Sequence, residues 1–68
     1  MTEHEILKDL RIQFFAAVNR KDVHELGLIK DATLILGQKT ELITLKKSCS
    51  AFYAQIQVML KELEREIS

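Results

Sequence analysis

The sequence predicts an all-α fold: an antiparallel helical hairpin or a small three-helix bundle with a long C-terminal amphipathic helix. Three observations carry this. The 68 residues contain no Pro and only two Gly, so the chain lacks the residues that punctuate strands and tight turns. Two capping-box patterns mark helix starts near the N-terminus and near residue 22. From residue 42 onward, apolar residues recur at alternating spacings of three and four. The reading is one helical domain over residues 1–68, with helices at about 3–20, 23–36 and 41–67.

The first helix starts at Thr2, whose hydroxyl is placed to accept the amide of Glu5. Met1 and Ile6 are placed as a hydrophobic staple over that cap. Ile6, Leu7, Leu10, Phe14, Ala17 and Val18 then form one stripe of helical period. Ile12, Phe15 and Ala16 lie off the stripe, which makes this helix apolar on more than one side. Asn19-Arg20-Lys21 is a fitting exit, because the negative end of the helix dipole favours cations.

Asp22 and Glu25 open the second helix with another capping box. Leu26, Leu28, Ile29, Ala32, Leu34, Ile35 and Leu36 follow, with Lys30 and Asp31 as the charged interior residues. A helix apolar on most sides is expected to be buried on most sides. Gly27 is expected to be tolerated at a cost of about 1 kcal/mol relative to Ala, with a close helix–helix approach as the other reading. Gly37 stands where a helix C-cap wants glycine, and Thr40 could cap a new helix. A turn at Gly37 is therefore expected. The alternative is one continuous helix to Ile67, because Leu28, Ala32, Ile35 and Leu42 run almost in phase across the break.

The last helix carries Leu42, Leu45, Cys49, Phe52, Ile56, Met59 and Leu63 as a heptad seam, flanked by Tyr53, Leu60 and Ile67. It is longer than the first helix, so its C-terminal part is expected to overhang. Met59, Leu60, Leu63 and Ile67 would then be exposed, and exposed apolar area of that kind marks an interaction surface.

Composition narrows the functional classes. Ten basic residues balance ten acidic ones, which argues against a dedicated nucleic-acid or acidic-membrane binder. A single Cys makes no internal disulfide, and no apolar run approaches the length of a membrane span. The N-terminus shows no basic segment followed by an apolar one, so a soluble cytoplasmic protein is expected. Cys49 lies in the seam and reads as a small core residue. His4 and His24 lack ligand partners at helical spacing, so no metal and no cofactor are expected. Gly37-Gln38-Lys39-Thr40 lacks the spacing of a phosphate-binding loop. Glu62, Glu64 and Glu66 read as a solvated surface, and no catalytic pair is seen.

In outline, a short helix followed by a longer one in under 80 residues resembles the small co-chaperones of needle-type secretion systems. It also resembles small dimeric regulators of phages and plasmids. The expected function is a non-enzymatic interaction module (an adaptor, co-chaperone or regulator) that completes its core as a homo- or hetero-oligomer. Its expected partner-binding residues are Ile56, Met59, Leu60, Leu63 and Ile67, with Ile12 and Phe15 as a second face. The alternative is a small dimeric nucleic-acid-binding regulator using Arg20, Lys21, Lys46 and Lys47.

Overall fold

The computed structural model describes residues 2–67, and for Ile67 the backbone only. Three helices follow one another: α1 (Glu3–Arg20), α2 (Val23–Lys39) and α3 (Ile43–Ile67). They form an up-down-up bundle with α2 in the middle. It packs most extensively on α3 and also on α1, while α1 and α3 meet along a narrow line.

Both predicted N-caps form. The Thr2 hydroxyl accepts the Glu5 amide at 3.2 Å, and an Asp22 carboxylate oxygen accepts the Glu25 amide at 3.0 Å. Each satisfies one of the donors a helix start leaves unpaired. The Met1 half of the expected staple lies outside the described residues.

The exit from α1 is a two-bond cap. Lys21 turns into the left-handed region at φ 55°, and its amide and that of Asp22 bond back to Val18 and Ala17 at 3.0 and 2.9 Å. A side chain in this region costs about 1–2 kcal/mol, so the cap hydrogen bonds offset a strained residue. Lys21 Nζ also meets Glu66 at 3.3 Å. Both side chains are largely in water, which leaves that pair worth less than about 1 kcal/mol.

The turn expected at Gly37 lies further on. Helix α2 runs through Gly37 to Lys39, and Thr40 is its C-cap in an extended conformation. The Thr40 amide still bonds Leu36 at 3.0 Å, and its hydroxyl accepts the Leu42 amide at 3.2 Å. The Leu42 carbonyl then accepts the Lys46 amide at 2.9 Å and opens the first turn of α3. A buried threonine thus reverses the chain where glycine was expected to.

Glycine has a different use in this fold. A Cβ on Gly37 would lie 3.1 Å from Cys49 Cβ, a tight approach that an added side chain would have to relieve by a shift of a few tenths of an ångström between α2 and α3. Gly27 has nothing within 4 Å of where its Cβ would be. Gly27→Ala should therefore stabilise the fold by about 1 kcal/mol through helix propensity alone. That raises the thermal midpoint by roughly 4–8 °C, read from the circular dichroism melt. An unchanged or lower midpoint would mean the site is not open.

The core joins Leu7, Leu10, Phe14 and Ala17 of α1, Leu26 and Ile29 of α2, and Leu45, Cys49, Phe52, Ile56, Leu60 and Leu63 of α3. Phe14 and Phe52 meet edge to face with centroids 5.3 Å apart, and the Arg11 guanidinium sits 5.8 Å from the Phe52 ring centre. Thr33 is fully buried in α2, and its hydroxyl donates to the Ile29 carbonyl at 2.8 Å, so no polar atom is stranded there.

Candidate protein-interaction surface

The expected overhang of α3 is not found. Leu60 and Leu63 are core residues, Ile56 is fully buried and Met59 is half-buried against the same cluster. The reason is the α1–α2 corner. Val18 and Val23 pack onto the core, and Lys21 reaches Glu66, so the corner lies over the end of the long helix. Counting helix lengths alone omitted that cover. The Ile67 side chain lies outside the described residues. Leu42, placed in the seam by sequence, is half exposed at the α2–α3 turn, and the buried seam starts at Leu45.

Exposed apolar residues are spread over all three helices, with Ile43 and Val58 of α3 68% and 58% exposed. Ile12 and Phe15 stand on the side of α1 away from the core, 59% and 61% exposed. This is where their off-stripe positions in the sequence put them. Phe15 retains an edge contact with Phe14 at 5.5 Å.

Helix α2 departs from expectation. It buries Leu26, Ile29 and Thr33 but leaves Leu28 52% and Ile35 50% exposed. Leu28, Ala32 and Ile35 follow a four-then-three spacing, so they form one stripe on one side of the helix. Beside the Ile35 end runs a groove of about 380 Å³ between α1 and α2, floored by Ile6, Ala32, Ile35 and Leu36. Glu3 and Lys39 border it. Leu34 faces the other way, into a groove of about 250 Å³ between α2 and α3 that Cys49 and Tyr53 also line. Sequence reasoning missed Leu28 and Ile35 because a helix apolar nearly all round does not reveal which face is covered. The available signal was the stripe itself, bounded by charged Glu25 and Lys39.

The basic residues are not brought together. Lys21 pairs with Glu66 near the end of α3, whereas Lys46 and Lys47 are in its first turns. Twenty residues of helix separate Lys46 from Glu66, about 30 Å at 1.5 Å per residue. Arg20 is the residue before Lys21, at the same end.

Cys49 is free and buried. Burial pushes its thiol up from an ordinary value of 9.0; Arg11 pulls it down and Glu3 adds to the rise. The thiolate is the reactive form, so the folded thiol should resist a water-soluble disulfide reagent until the chain unfolds. The folded state holds this proton more tightly than the unfolded one. Its contribution to stability is therefore complete below pH 9.0 and is lost as pH rises through the folded value. Rapid labelling of native protein at neutral pH would contradict this placement.

Among the described residues, no group of three His, Cys, Asp or Glu side chains could hold a metal ion. Among the same residues, no helix is long and apolar enough to cross a membrane. Compared with known proteins, the chain matches no family model, no curated protein and no solved structure.

Proposed function

We propose that this chain works by binding another protein through an apolar helix surface, as a small adaptor, co-chaperone or regulator, and not by catalysis. One observation carries the reading. Leu28 and Ile35 are half exposed on a continuous stripe of α2, next to an apolar groove that a neighbouring side chain could fill. Scattered exposed apolar residues are ordinary, but a stripe bordering a groove is the form a helix-against-helix site takes. The core of the chain closes without Leu28 and Ile35, so the fold does not require their apolar character. No comparable observation favours nucleic acid, since the basic pairs sit at opposite ends of the bundle.

The test is site-specific photo-crosslinking inside the cell. A benzoyl-phenylalanine replaces Ile35 in one version of the chain and the exposed Gln57 of α3 in another. The expected result is a discrete protein adduct from position 35 and none from position 57. No adduct at position 35, or equal labelling at both, would overturn the proposal.

A further inference from the structure

We infer that the occupant of the α2 stripe is a second copy of this chain, docked antiparallel about a two-fold axis at Ala32. This rests on the reading of the stripe as an interface and names its partner. The stripe is nearly its own complement when reversed. Glu25 lies seven residues before Ala32 and Lys39 seven after it; Leu28 lies four before and Ile35 three after. Turning the helix end for end therefore sets Ala32 against Ala32 and Leu28 within one residue of Ile35. It also sets Glu25 against Lys39.

A two-fold interface uses one patch twice, so the patch must be complementary to itself. Here apolar meets apolar at the centre, and opposite charges meet at both ends. A parallel pairing in register would instead set Glu25 on Glu25 and Lys39 on Lys39, where like charges repel. Ala32 at the axis is half-buried against the chain's own core and adds little bulk at the crossing. From Glu25 to Lys39 the seam is about 21 Å long at 1.5 Å per residue.

The groove fits the same arrangement. It opens at the Ile35–Lys39 end of the stripe, which is where the reversed copy brings its Leu28. By symmetry the contact occurs twice, each Leu28 entering the groove beside the other copy's Ile35. Leu28 and Ile35, each about half exposed in the single chain, are then covered together.

The experiment is sedimentation equilibrium of the whole chain at low salt, from micromolar to millimolar concentration, with circular dichroism to confirm helix content. The wild type is expected to show a monomer–dimer equilibrium. Glu25→Lys and Lys39→Glu should each weaken it about tenfold, because each variant opposes like charges at both ends of its own dimer. Their equimolar mixture should recover wild-type association, since in the mixed pair both ends again carry opposite charges. Ile35→Arg, at an exposed position, is a second variant that should abolish the dimer without loss of helix should Glu25→Lys disturb its cap.

A wild type that stays monomeric throughout overturns the inference. So does a dimer that the single variants and their mixture leave unchanged. A monomeric chain whose position 35 crosslinks to a different protein overturns the second copy but leaves the interaction reading standing. Absence of both dimer and adduct removes both.

Discussion

Leu63→Glu is expected to abolish the cooperative fold at neutral pH, whereas Ile35→Glu should leave it intact. Leu63 is 5% exposed and belongs to the core cluster near the end of α3. Truncating such a leucine to Ala would cost about 2–5 kcal/mol, and an unpaired carboxylate in its place adds several more. A 68-residue chain has about 3–10 kcal/mol of total stability. The sum exceeds most of that range, so helix content should fall at 25 °C and no sharp melt should remain. Ile35 is half exposed, and Glu is a good helix former, so its replacement should change the stability of the single chain by less than about 0.5 kcal/mol. Denaturation followed by circular dichroism separates the two. If Leu63→Glu melted like the wild type, the end of α3 would have to face solvent or a partner and not the chain's own core.

Phe52→Ala should cost about 3–5 kcal/mol, enough to leave the chain marginal or unfolded at 37 °C. Phe52 is buried in the core and faces Phe14 and Arg11 of α1. It loses more than apolar area. Its edge-to-face contact with Phe14 is worth about 0.5–1.5 kcal/mol, and Arg11 over its ring about 0.5–1 kcal/mol. A double-mutant cycle with Phe14→Ala should therefore return a coupling of about 1 kcal/mol from urea midpoints. Additive costs would show that the two rings share the core without a specific contact. If the double variant does not fold, Phe14→Leu and Phe52→Leu give the same cycle at lower cost.

The two N-caps were legible because a capping box is a local pattern in which one side chain and one nearby amide decide the outcome. The stripe of α1 was legible because its polar and apolar sides are distinct, and Ile12 and Phe15 stood out as residues off the stripe. The seam of α3 from Leu45 to Leu63 was legible for the same reason, but its destination was not. Periodicity shows that Ile56, Leu60 and Leu63 face something, without showing whether that is this chain or another.

The helical class, the starts of α1 and α2, and the buried side of α1 follow from interactions within a few residues and can be read from local spacing. The remaining features depend on packing between helices. Helix α2 is apolar on most sides, so its period could not choose between burying Leu26 and Ile29 or Leu28 and Ile35; contact with both neighbours made that choice. Glycine serves a helix end and a close helix crossing equally well, and only the position of Cys49 Cβ, 3.1 Å from where a Gly37 Cβ would stand, shows that it serves the crossing. The corner at Lys21–Asp22 covers Leu63 because the chain reverses twice, and a cover built from residues some forty positions away leaves no trace in local spacing.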